Sequence, residues 1–203
     1  MKISKLIFTL ILTAIISVPS VAIAQSYDEI YVIGETDSIP ANETKKERKE
    51  RIKKDHEIVD SVFHLKALHA IQQGYFVLQA TEVSNMYGNH ALGLNDNTNF
   101  LLTQGDKGIF QVSYNTMSPG YNGLGGLTLH GRISNLKITS DKKGNVIATY
   151  NMVGRSMHAY VTLTLFKGSD QALASIDPTL GRGRINLRGR LVPYRNDNIR
   201  IEP

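Results

Sequence analysis

The sequence predicts an all-β domain preceded by one helix, with about eight antiparallel strands in an up-and-down barrel and a two-sheet β-sandwich as the alternative. Three observations carry this. From Tyr75 onward apolar and polar residues alternate with a period of two, and turn residues recur at intervals of roughly ten. The segment before Tyr75 has a helical period and a helix-start signature. The connections between strand segments are too short for anything but antiparallel neighbours. Eight such strands in sequence can close on themselves, with an interior filled by side chains or holding one small ligand.

The elements follow in chain order. Residues 1–24 have a basic start at Lys2 and Lys5, an uncharged apolar run from Leu6 to Ile16, Pro19, and the small-x-small triplet Ala22-Ile23-Ala24. This is the pattern of a signal peptide, and Pro19 with the cleavage triplet favours export over a retained anchor. Residues 25–43 show no period and carry Gly34 and Pro40, as a flexible leader does. Thr44-Lys45-Lys46-Glu47 has capping-box spacing, so a charged helix is expected over 44–74, ending at Gly74. Ile52, Ile58, Val59, Val62, Phe63 and Leu65 form one broad stripe on it, and the expectation is that this stripe packs along the second half of the helix.

The barrel domain is expected over 75–195, with strands at 75–83, 98–104, 108–115, 126–140, 144–153, 157–166, 170–177 and 183–193, and a tail over 196–203. In strand 126–140, Leu127, Leu129 and Ile133 have one parity while Leu136 and Ile138 have the other, which predicts a bulge near Ser134-Asn135.

The chain has no cysteine, so disulfides, thiol catalysis, thiolate metal ligands and a lipidated N-terminal cysteine are excluded. Together with the leader, this points to a periplasmic or cell-envelope location. Residues 75–195 carry twelve Lys and Arg against six Asp and Glu. That excess favours an anionic partner: an anionic glycan, a lipid headgroup or an acidic surface of an envelope protein. Export makes nucleic acid an unexpected partner.

The candidate binding residues lie on two strands. Alternation puts Arg182, Arg184, Asn186, Arg188 and Arg190 on one face of the last strand, and guanidinium groups in a row can grip phosphate or carboxylate. The competing reading is a solvated outer face, but few acids fall inside strands to neutralise the row. On strand 157–166, His158 and Tyr160 share the mixed face. That face either lines a cavity for a small apolar ligand or is a partly solvated exterior.

Catalytic patterns are missing. Gly154-Arg155-Ser156-Met157-His158 is not a nucleophile elbow, and the six histidines lack H-E-x-x-H or i,i+4 spacing. The glycine-rich Tyr121 to Gly126 segment leads into a strand and lacks the Lys-Ser/Thr ending of a phosphate loop. No catalytic residue, metal ligand or cofactor is therefore expected. The functional expectation is a non-catalytic binding module, then a structural or accessory subunit that binds a partner protein, and last a hydrolase.

Four stretches taken together resemble a family of exported proteins of unknown function from Bacteroides-like bacteria. They are Asn97-Thr98-Asn99-Phe100; Gly123 to Thr128 continuing to Gly131-Arg132-Ile133-Ser134-Asn135; Lys167-Gly168-Ser169; and Arg184 to Leu187 continuing to Gly189-Arg190-Leu191-Val192-Pro193. The resemblance covers roughly residues 45–195. It implies a charged helix followed by a lipocalin-like barrel and brings no activity and no catalytic residues.

Overall fold

The computed structural model describes residues 44–85, 92–113, 126–155, 158–179, 183–195, 199 and 201. The expected signal peptide and leader, Arg182, His90, Ser156, Met157 and most of the glycine-rich loop lie outside these residues. The chain divides into two compact units between Lys49 and Glu50. Residues 44–49 are the described part of the first. They hold the expected capping box: the Thr44 amide donates to the Glu47 carboxylate at 2.9 Å, and the Glu47 amide donates to Thr44 Oγ1 at 3.3 Å.

Helix α1 spans Lys45–Gln73. It is followed by β1 (Tyr75–Asn85), β2 (Leu92–Gly93), β3 (Phe100–Gln104), β4 (Lys107–Ser113) and β5 (Gly126–Ser140). Then come β6 (Val146–Gly154), β7 (His158–Leu165), β8 (Gln171–Pro178) and β9 (Ile185–Pro193). Each of β3 to β9 pairs antiparallel with the next, β3 pairs with β1, and β9 returns to β1 from Phe76↔Pro193 to Asn85↔Ile185. That last pairing closes an eight-stranded all-antiparallel barrel and leaves the sandwich alternative without support. The two-residue β2 is an extra rung on the far end of β1.

The bulge falls where the parity of the sequence breaks. Pairing of β5 with β6 shifts between Ser134 and Lys137, and Asn135 takes φ 58°. The extra residue turns Ile138 back to the side of Ile133, opposite Ala148, so both apolar sets serve the same face.

Side chains fill the barrel interior. Phe76, Leu78, Phe110, Tyr150, Met152 and Leu163 are each no more than 2% exposed and belong to one continuous cluster. Each large side chain buried this way contributes roughly 1.5–3 kcal/mol, so the interior works as a core. Burial pushes the Tyr150 hydroxyl's pKa upward, and Thr103, which donates to it at 3.2 Å, partly offsets that shift. A second, smaller cluster sits elsewhere: Val77, Phe100 and Leu102 are covered by Val192, Tyr194 and Ile199, so part of the tail packs on the barrel.

The helix packs through its second half, as expected, but with other residues than the apolar stripe. Its buried residues are Ala67, Ala70 and Ile71, members of the same cluster as the barrel interior. Ile52, Ile58, Val59 and Leu65 from the apolar stripe are exposed. The reason is steric. The helix reaches the core through its last two turns, where the small Ala67 and Ala70 allow the close approach that buries Ile71. His64 Nδ1 lies 2.9 Å from the Ser169 carbonyl, which ties the same stretch of α1 to the β7–β8 turn.

Candidate functional site

Strand alternation decides where the candidate residues point. On β7, Ala159, Val161, Leu163 and Leu165 are buried while His158 and Tyr160 are exposed, Tyr160 at 46%. On β9, Leu187, Gly189 and Leu191 are buried while Arg188 and Arg190 are exposed, and Arg184 just before the strand is exposed too. All five described candidates therefore lie on the outside of the barrel, on β7 and on or just before β9, the two strands that flank β8. The cavity-wall reading of His158 and Tyr160 is corrected by this geometry: alternation gives the interior to their apolar neighbours.

The register shows how the face is assembled. Tyr160 stands opposite Asp177 of β8, and Asp177 accepts a 2.8 Å hydrogen bond from Arg184 Nε. That bond, with the aspartate's charge, raises the Arg184 pKa above its ordinary value. Arg190 holds Asp170 at 2.8 Å, and Asp170 is a nearly buried carboxylate at 7% exposure. Arg188 stands opposite Glu82 of β1 on one side and Leu173 of β8 on the other.

The expectation that the arginine row has few acids to neutralise it is overturned. Asp170 and Asp177, at the two ends of β8, each take one arginine, because the β8–β9 register brings the ends of the two strands together. Two of the row's arginines are therefore ion-paired, and among the described residues Arg188 makes no ion pair.

Sequence inspection missed the residues that continue this surface. Asn151 of β6 stands opposite Tyr160, and Ser134 of β5 stands opposite Asn151. One row over, Thr149 and Ser175 join Thr162 and Asn186, which the alternation of β7 and β9 already places on this face, in one line across β6, β7, β8 and β9. The available signal was β6 itself, where Thr149 and Asn151 alternate with the buried Ala148, Tyr150 and Met152.

Other candidate chemistry does not assemble. Asp170 and Asp177 lie seven residues apart along an extended strand, roughly 23 Å, too far for paired carboxylate work. Strand β6 runs between His130 and His158, so roughly 10 Å of sheet separates their strands. Among the described residues no group of three or more His, Asp or Glu could hold a metal ion. No helix among them is long and apolar enough to cross a membrane.

The stretches that carried the family resemblance are largely architectural. Asn99 is 1% exposed; its Nδ2 donates to the Asn95 carbonyl at 2.8 Å, and its Oδ1 accepts the Ser113 amide. Gln111, fully buried, donates to the Thr98 carbonyl at 2.9 Å and accepts from Thr128 at 3.0 Å. The Gly131–Asn135 stretch holds the bulge, and Lys167-Gly168-Ser169 makes the β7–β8 turn with Gly168 at φ 74°.

Fold and surface together define a helix-bearing, up-and-down antiparallel barrel of lipocalin-like topology with a filled interior. The chain belongs to the DUF4251 family, a domain of unknown function, whose model matches residues 60–191. It is similar to the crystal structure of a DUF4251 family protein from Bacteroides eggerthii DSM 20697, at 34% identity and a TM-score of 0.58, over 68% of this chain and 91% of that one. No curated protein matches it.

Proposed function

We propose that this protein is a non-catalytic binding module of the cell envelope, exported by its N-terminal leader, which meets its ligand on the outer face of β7, β8 and β9. One observation carries this reading: Tyr160, His158, Arg184, Arg188 and Arg190 share that face while large apolar side chains occupy the interior. A ligand inside the barrel would have to displace a packed core, whereas the face offers an aromatic ring, guanidinium groups and amides to anything that docks. The ligand is an envelope component, a glycan or a lipid headgroup. Nothing in this reading requires a cofactor.

Native mass spectrometry of the mature protein purified gently from its own envelope tests this reading. The expected result is no ligand retained within the barrel, and capture of isolated envelope polymers that is weakened by changes to the outer face, those at Tyr160 first. A small molecule that survives denaturant-free purification and is indifferent to those changes refutes it.

A second reading, an accessory subunit docked on a partner protein, is favoured by the exposed Ile58 and Leu65, which lie seven residues apart on one face of α1. Its mark is a complex that survives high salt and is lost in the double variant Ile58→Glu, Leu65→Glu. Hydrolysis has the least support, because Asp106, Asp170 and Asp177 are each held by an arginine, and Asp170 and Asp177 sit at opposite ends of β8.

A further inference from the structure

On the β7–β9 face two of the three described arginines are ion-paired, while several hydroxyls and amides have no partner among the described residues. Arg184 is occupied by Asp177, Arg190 by Asp170, and Arg188 faces Glu82 across the β9–β1 pairing. Among the described residues the face thus sets three arginines against three acids, two of them joined in ion pairs. By contrast, the side chains of Ser134, Asn151, Thr149 and Thr162 have no hydrogen-bond partner among the described residues. Tyr160 stands among them, 46% exposed, between Asn151 and the Asp177–Arg184 pair.

We infer that this face recognises a neutral, hydroxyl-rich glycan chain lying across the strands along the row Ser134, Asn151, Tyr160 and Asp177. The inference rests on the proposed binding-module function and narrows its ligand class. The chemistry fits each part of the row. An exposed aromatic ring offers its face to the apolar C–H side of a sugar, which is large contact area with little side-chain entropy to lose. Amide and hydroxyl groups donate to and accept from sugar hydroxyls in either direction. An ion-paired Asp177 keeps lone pairs for a further donor while Arg184 stays fixed beside it. Adjacent strands are spaced at about 4.8 Å, so the row from β5 to β8 spans roughly 14 Å, which a short oligosaccharide covers.

A polyanion is the competing ligand, and it predicts a different salt response. Surface charges that are already paired add little to long-range attraction, and what they add is screened at high ionic strength. Binding through hydroxyls and an aromatic platform is nearly indifferent to salt.

Titration calorimetry of the mature chain tests this, with four soluble neutral polysaccharides as probes (an α-glucan, a mixed-linkage β-glucan, a mannan and an arabinoxylan). Polygalacturonate and phosphatidylglycerol vesicles serve as anionic probes, each at 0.05 and 0.5 M NaCl. At least one neutral polymer is expected to bind with an affinity that changes less than twofold between the salts. Tyr160→Ala should weaken it about tenfold. Asn151→Ala should weaken it severalfold, and Arg188→Gln less than twofold. Thermal melts of each variant establish that the fold is kept, and the two independent row variants keep the test decisive if one fails to fold. Binding to the anionic probes alone, lost at 0.5 M NaCl and in Arg188→Gln, overturns this inference and leaves the binding-module reading standing. Neutral-polymer binding that ignores both Tyr160 and Asn151 overturns the row as its site. No binding to any probe overturns both readings.

Discussion

The guanidinium of Arg190 lies over the ring of Phe63, 5.2 Å from its centroid, and so joins the last barrel strand to the helix. The same guanidinium holds the nearly buried Asp170 at 2.8 Å. Arg190 is thus a structural clasp, although its place in the arginine row makes it read as a ligand contact. Removing it should loosen the seat of α1. Arg190→Gln is expected to cost about 1 kcal/mol of stability, since the stacking is only partly desolvated. Urea unfolding should show the loss, and Phe63→Leu should reproduce most of it.

A buried bond between side chains should be more costly to break. Thr103 and Tyr150 are both essentially unexposed, and the Thr103 hydroxyl donates to the Tyr150 oxygen. Tyr150→Phe leaves the threonine hydroxyl without its acceptor in an apolar core. The expected destabilisation is about 1–3 kcal/mol, read from the midpoint of denaturant unfolding.

The buried amides of the Asn99–Gln111 network hold β3, β4 and β5 in register, so their loss should act on folding. Gln111→Leu removes the donor to the Thr98 carbonyl and the acceptor of the Thr128 hydroxyl together. A loss of about 2 kcal/mol is expected. Amide exchange in β3 and β4 should accelerate with it, and unaltered exchange there would contradict this role.

Two glycines make a contrasting pair. Gly189 stands between Ala80 and Ala172 on the adjacent strands, and an added Cβ would overlap the Gln79 carbonyl. Gly189→Ala should destabilise by about 1–3 kcal/mol or more, because backbone must move to admit it. At Gly183 a Cβ would meet nothing within 4 Å, so Gly183→Ala should leave the melting temperature nearly unchanged.

The β5–β6 turn carries an acid dependence. Asp141 Oδ1 accepts from the Lys143 and Asn145 amides at 2.8 and 2.9 Å, and Asn145 Nδ2 donates to Oδ2 at 2.8 Å. These bonds, those from Asn145 foremost, hold the carboxyl below its ordinary value of 3.8. A carboxyl depressed on folding adds stability that is complete above the unfolded value and is lost as pH falls through the folded one. The melting difference between the native chain and Asp141→Ala should therefore be full near pH 6 and shrink below about pH 3.5.

What the sequence by itself determined was the local grammar. The period of two, the glycine turns and the Thr44–Glu47 box are short-range signals, so the helix, all eight barrel strands and the bulge at Asn135 were legible to within a few residues. The compensation of the arginines was not. Arg184 and Asp177 are seven residues apart, and Arg190 and Asp170 twenty, and nothing in either spacing announces the β8–β9 register that joins them. The helix shows the same limit. Its bulky stripe from Ile52 to Leu65 has the periodicity of a buried face, yet Ala67, Ala70 and Ile71 reach the core. Periodicity records which residues share a side of a helix. Which side is buried depends on the shape of the surface waiting for it, and only the closed barrel supplies that. The outer row of Asn151, Tyr160 and Asp177 belongs to the tertiary structure for the same reason: its members come from three strands and become neighbours only when the sheet forms.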